Sequence, residues 1–309
     1  MSSTDVIASE PIREGSSLYY SLLWTDTRAR QRFAERLALI KAMATTLDDV
    51  QEPQVAEKKI HWWHEELQRL TDGVARHPAT QQNQAALAGL ESAKALCLDV
   101  VSVASTQRFT PPATTSESDE ALTRSFLARL ALLAHSLSGD EIDLDASGHM
   151  ESAALAFAQY DQLARLPMLI HRGLPVFSEE LYQRFDIRPA DLAEHIRVAP
   201  APTDDPTNTE TPPTPGGSLK NIAVVVEKPG RKQLIEHAIE RNHAAFSQTI
   251  NDPETRQRYR KSPLLPIWRL LVLRHAQLEL WASQPPDLLR ERTTLTPLAK
   301  LWRAWRNKR

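Results

Sequence analysis

The chain has 309 residues, one cysteine, and 37 basic against 39 acidic side chains, a formal charge of −2. That length fits one large domain or two small ones and leaves ample chain for a core. The balanced charge speaks against nucleic acid as a partner, and the lone Cys97 excludes an internal disulfide framework, with reducing cytosol the default compartment. The opening residues, Met1 to Val6, lack a basic start followed by an apolar run, so no signal peptide is expected. The longest apolar stretch, Leu127 to Leu137, is interrupted by Arg129 and His135 and is too short to span a bilayer. A soluble, cytoplasmic protein is the expectation.

Helical periodicity then dominates. Phe33, Leu37, Ile40, Ala44 and Leu47 recur at steps of four and three, predicting a helix face that runs into the acidic stretch Asp48-Asp49-Val50-Gln51-Glu52. On that reading Asp48 and Glu52 project from one helix face about one turn apart, a spacing at which two carboxylates share a hard cation such as Mg²⁺. Pro53 starts the next helix, which carries Ile60, Trp63, Leu67 and Leu70 on one side and stops near Gly73. Further helices are predicted over 84–103, 120–137 and 150–170, the last kinked or ended early by Pro167. Ser178 caps a short helix over 179–185, and Pro189 opens another to 197.

Residues 199–218, rich in Pro, Thr and Asp, bury too little to offset their ordering entropy and read as a flexible surface loop. Ile222 to Val226 is the one strand-like run, and a strand without a partner is read as helix or coil. Helices over 232–248, 266–282 and 297–307 complete an all-α chain, a single domain over 1–309.

Plain readings stand beside the functional ones. The acidic stretch also fits a solvated helix end, and Trp62 and Trp63 fit helix packing. The run His64-Glu65-Glu66-Leu67-Gln68 lacks the second histidine of a zinc-protease motif. At the far end Leu298, Leu301, Trp302 and Trp305 share a stripe beside Lys300, Arg303, Arg306, Lys308 and Arg309. Tryptophan beside basic residues is the composition of an interfacial helix in peripheral contact with a membrane. It also fits a helix docked on the bundle with its cations near the C-terminal dipole.

Three islands, in order, resemble the squalene/phytoene synthase family. They are Gly15-Ser16-Ser17-Leu18-Tyr19-Tyr20-Ser21-Leu22-Leu23; the acidic stretch with Lys59-Ile60-His61-Trp62-Trp63-His64-Glu65-Glu66-Leu67 and His77-Pro78; and Leu295-Thr296-Pro297-Leu298-Ala299-Lys300-Leu301-Trp302-Arg303-Ala304-Trp305. The resemblance implies an isoprenoid-synthase bundle of helices around a central apolar cavity, and Mg²⁺-dependent head-to-head condensation of prenyl diphosphates such as farnesyl or geranylgeranyl diphosphate. It implies catalytic roles for Asp48, Asp49 and Glu52 and metal ligation by Asp48 and Glu52, with Asp161 as a displaced carboxylate. It implies substrate contacts from Tyr19, Tyr20, Arg165 and Arg172, although core packing serves the tyrosines equally well.

The chain departs from the family at two places. Thr45 stands where an arginine is usual, and between Asp161 and Glu179 there is no carboxylate, so the second Asp-rich motif is missing. Arg165-Leu166-Pro167 and His171-Arg172-Gly173 are similar instead to a branch regarded as non-catalytic, the mitochondrial complex I assembly factor of this fold. The alternative expectation is therefore a non-catalytic isoprenoid-binding or assembly-factor-like protein.

Overall fold

A computed structural model describes residues 12–109, 112–138, 148–174, 176–192, 229–260, 262–283 and 293–308. Among them every regular element is a helix. In order these are α1 (Ser17–Leu22), α2 (Thr27–Ala44), α3 (Pro53–Thr71), α4 (Pro78–Leu87), α5 (Glu91–Phe109), α6 (Thr115–Ser138) and α7 (Gly148–Ala164). There follow α8 (Leu166–His171), α9 (Glu179–Arg184), α10 (Pro229–Asn251), α11 (Pro253–Arg260), α12 (Leu265–Ser283) and α13 (Pro297–Arg306). A helical turn covers 189–192. The Pro/Thr-rich stretch 199–218, the run Ile222 to Val226 and residues 193–197 lie outside the described residues.

Local chemistry sets many of these boundaries. Asp26 caps α2 by accepting from the amides of Arg28 and Ala29, both at 3.0 Å, and the Ser16 hydroxyl accepts from Tyr19 N at 3.1 Å to start α1. Thr296 does the same for α13, with Pro297 in the first turn. Each such cap contributes about 1 kcal/mol. The helix expected over 84–103 is two helices, because Gly89 takes a left-handed turn at φ +77° that ends one and starts the next. Helix α11 has no sequence forecast: it is polar nearly all round and buries only Thr255 and Tyr259.

Two apolar cores meet at α6, which packs on α2, α5 and α7. One core joins α1, α6, α7, α10 and α12; the other joins α2, α3, α4, α5 and α6. Leu39, Met43, Leu67 and Leu271 are wholly buried, each such side chain contributing about 1.5–3 kcal/mol. Ala153, Ala154, Ala156 and Ala158 are all buried, so α7 runs close against its neighbours. Asn242 of α10 donates 2.9 Å to the carbonyl of Ala156 across that seam.

Candidate functional site

The acidic stretch is a turn. Helix α2 ends at Ala44, where the Thr45 hydroxyl bonds back to the Lys41 carbonyl at 2.9 Å, and the chain then tightens into i+3 bonds. Thr46 N reaches Met43 O at 3.2 Å, Asp48 N reaches Thr45 O at 3.1 Å and Val50 N reaches Leu47 O at 3.1 Å. Leu47 and Val50 are buried against Ala56 of α3 and pin the turn from inside. The expected helical face shared by Asp48 and Glu52 is therefore not formed. Beneath the turn, Trp63 Nε1 donates 2.9 Å to the Thr46 hydroxyl and Lys59 Nζ donates 3.0 Å to its carbonyl.

Asp48 meets the break between α7 and α8. Its Oδ2 accepts from Arg172 Nη1 at 2.7 Å and from Arg165 Nη2 at 3.1 Å. Arg165 sits at that break with φ −101° and ψ 2°, Arg172 closes α8, and seven residues of spacing bring both guanidiniums to one side. Arg165 Nη1 also holds Asp161 Oδ2 at 3.2 Å, and Arg172 Nη2 lies 3.4 Å from Asp49 Oδ1. The charges alternate: Asp161, Arg165, Asp48, Arg172, Asp49. Burial pushes the Asp48 carboxyl above its usual value, and the two arginines pull it only part of the way back.

Asp161, Arg165, Asp48 and Arg172 of this ladder line a cavity of about 570 Å³, within the usual ligand-pocket range of about 300–1,000 Å³. The walls are apolar, with Phe33 and Leu37 of α2, Leu130 and Leu133 of α6, and Phe157 of α7. The charged lining consists of Lys41, Arg129, Arg165, Arg172 and Arg274 with Asp48 and Asp161. Arg129 comes from α6. Burial lowers its pKa to about 10, which leaves it charged at neutral pH, and its guanidinium stands 4.2 Å over the Phe126 ring. Its Nε is buried without a hydrogen-bond partner, as is the hydroxyl of Ser125. Both residues line a side cavity of about 110 Å³ that shares Asp48 and Asp161 with the larger one. Arg274 donates 2.7 Å to the Tyr160 hydroxyl, and that ring stacks on Trp281 at 5.5 Å.

The structure thus brings Asp48, Asp161, Arg165 and Arg172 together. Asp49 is paired with Arg172 but its side chain is 84% exposed. Glu52 is exposed at the N-cap of α3 and makes no capping bond. Tyr19 and Tyr20 are half-buried, edge to face at 5.5 Å, and neither lines the cavity, whose wall takes Leu18 from the same helix. Sequence reasoning passed over Arg129 and Arg274. The signal was present, since each is a cation inside an apolar helical run.

The Trp-Trp-x-Glu-Glu motif is scaffold. Glu66 is wholly buried and accepts from the amides of Arg76 and His77, both at 2.7 Å, from the Thr80 hydroxyl and from Arg69 Nε at 3.0 Å. Burial drives its carboxyl up, but the bonds from His77, Thr80, Arg76 and Arg69 outweigh it and hold the group below its ordinary range.

Mg²⁺ asks for oxygen donors in near-octahedral array at about 2.0–2.1 Å. Here two guanidiniums occupy one oxygen of Asp48, Arg165 bonds both Asp48 and Asp161, and Glu52 is not part of the cavity wall. None of these acids joins a three-ligand cluster within 4.8 Å. So arranged, the donor set does not fit a Mg²⁺ centre shared between two carboxylate motifs.

A second surface feature lies on α13. Lys300 and Ala304 face inward, Lys300 donating 3.0 Å to the Gly15 carbonyl. Leu298, Leu301, Trp302 and Trp305 stand 38–78% exposed on the outer stripe, with the two indoles stacked at 5.2 Å. Among the described residues no helix is long and apolar enough to cross a membrane.

No protein-family model matches the chain. No curated protein matches it either. Among solved structures it is similar to the crystal structure of a dehydrosqualene synthase in complex with ligand, at a TM-score of 0.67 over 99% of this chain and 95% of that one, with 11% sequence identity. At that identity the likeness establishes the fold, an all-α bundle of the isoprenoid-synthase type.

Proposed function

We propose that this chain is a relative of the enzymes that condense prenyl diphosphates, and that it binds an isoprenoid with an anionic head by means of arginines, without catalysing the condensation. The observation that carries this reading is the asymmetry of the cavity. Its lining is apolar over Phe33, Leu37, Leu130, Leu133 and Phe157 but carries five cations against two carboxylates, and one of those cations, Arg129, has a buried donor with no acceptor. A diphosphate supplies the missing acceptors through charge-assisted bonds, and a prenyl chain fills the walls at about 25 cal/mol per Å² of apolar surface removed from water. The dehydrosqualene synthase neighbour, itself a ligand complex, supports an isoprenoid as the occupant.

Condensation asks for more than binding. A single catalytic group is typically worth about 10²–10⁴-fold in rate, and the second Asp-rich motif supplies several. Farnesyl diphosphate titrated into the purified protein should therefore bind equally well in Mg²⁺ and in EDTA, and farnesol should bind more weakly. Binding that requires Mg²⁺, or Mg²⁺-dependent diphosphate release from labelled substrate, would restore the enzyme reading.

The stripe on α13 supports a peripheral lipid contact, because two exposed tryptophans and two leucines lie beside Arg303, Arg306 and Lys308. Flotation with vesicles containing anionic lipid tests it. Protein that stays at the bottom of the gradient, or a Trp302→Ser/Trp305→Ser variant that floats as well as the unaltered chain, would overturn the lipid contact at that stripe.

A further inference from the structure

We infer that His243, His275 and Glu279 form a transition-metal site, fitted to Zn²⁺, that joins α10 to α12. None of the three lines the cavity, and nothing in the binding reading uses them. His275 and Glu279 are four apart on α12 and so share one face, and His243 meets them from α10. Their ligand atoms all lie within 4.8 Å of one another, and the two imidazoles overlap at 4.9 Å with 20° between planes.

The finer geometry separates this cluster from an ordinary helical pair. On α3, His61 and Glu65 have the same i,i+4 spacing and bond directly, Nε2 to Oε1 at 3.1 Å. Between His275 Nδ1 and Glu279 Oε1 the gap is 3.7 Å, too long for a hydrogen bond. Two donors each about 2.0–2.1 Å from a tetrahedral zinc stand roughly 3.3 Å apart, so the gap is close to what a shared ion requires.

The surroundings orient the ligands. His275 Nε2 is 2.9 Å from the Ser247 hydroxyl, and with its proton given to that oxygen Nδ1 keeps its lone pair toward Glu279. Arg303 of α13 holds the other carboxylate oxygen, Oε2, at 3.5 Å and leaves Oε1 for the ion. A neutral imidazole is the form that ligates. Two histidines and one glutamate suit zinc, with a fourth position left to water on this half-exposed face.

The test is calorimetric titration of Zn²⁺ into chelator-stripped, tag-free full-length protein near neutral pH, with thermal unfolding alongside. Uptake of about one equivalent and a raised Tm are expected, since the ion binds only the folded pair of helices. Affinity should fall at least about tenfold in both His243→Ala and Glu279→Gln and stay unchanged in His61→Ala. Glu279 is exposed, so Glu279→Gln keeps the fold and decides the matter even if His243→Ala does not. Wild-type protein that takes up no zinc at about 1 mM, or a Glu279→Gln variant that titrates like wild type, overturns the site.

Discussion

Around Glu66, four donors from three segments of chain converge on two oxygens, and burial is fully answered. Around Asp48, two guanidiniums crowd a single oxygen, the carboxyl stays above its usual value, and Arg129 keeps a buried N–H without an acceptor. Both carboxylates belong to the same sequence signature. One site is satisfied within the chain, and the other leaves a donor open that the proposed binding reading gives to a ligand. Buried polar groups without a partner also occur away from the cavity, at Arg36 and Tyr259 among the described residues, so Arg129 is set apart by its place in the cavity lining.

That contrast can be broken most forcefully at Glu66. Glu66→Ala strands four donors and should lower stability by about 3 kcal/mol in urea unfolding, with ligand affinity unchanged in the fraction that folds. The acid limb should follow the same residue. A carboxyl lowered on folding contributes fully above its unfolded value of 4.5 and loses that contribution as pH falls through the folded value. Urea midpoints measured across pH should therefore show a flatter acid limb in Glu66→Gln.

Arg129→Met makes the opposite test. Removing a buried cation without a full set of partners should leave stability unchanged or raise it by about 1 kcal/mol, while farnesyl diphosphate affinity falls at least about tenfold. A destabilised variant whose folded fraction keeps its affinity would make Arg129 scaffold like Glu66. Asp48→Asn is the sharper and smaller probe. It removes the anionic partner shared by Arg165 and Arg172, which keep Asp161 and Asp49, and should strengthen anion binding about threefold, roughly 0.6 kcal/mol, where a metal-binding Asp48 would lose binding. Least of all should change at Cys97, which is wholly buried, with burial pushing its thiol up to about 12. It should resist alkylation in native protein and react only on unfolding.

Much of the bundle was legible because apolar spacing at three and four residues survives in α2, α3, α6, α10 and α12 even where the pattern is diluted by charge. The turn at Asp48 was not. Leu47 and Val50 continue the helical spacing of α2 closely enough to hide that they plug the turn, where the backbone bonds change from i+4 to i+3 spacing after Thr45. The pairing of Asp48 with Arg165 and Arg172 joins residues 117 and 124 apart, and no local pattern encodes that. Arg129 was visible as an interruption of an apolar run, and was weighed there only as an obstacle to spanning a bilayer. Its meaning depends on α2 and α7 enclosing it.

The bond from Lys300 to the Gly15 carbonyl closes a span of 285 residues, and it has company. Arg269 donates to Ser21 O on one side and to the carbonyls of Asn307 and Lys308 on the other. Helix α1 therefore leaves the ribosome long before the segments that hold it have been made. At about 5–20 residues per second, it waits tens of seconds or less for its partners. During that interval α1 lacks α12 and α13, the helices it packs on in the folded chain, so the first helix made is among the last to be fixed in place.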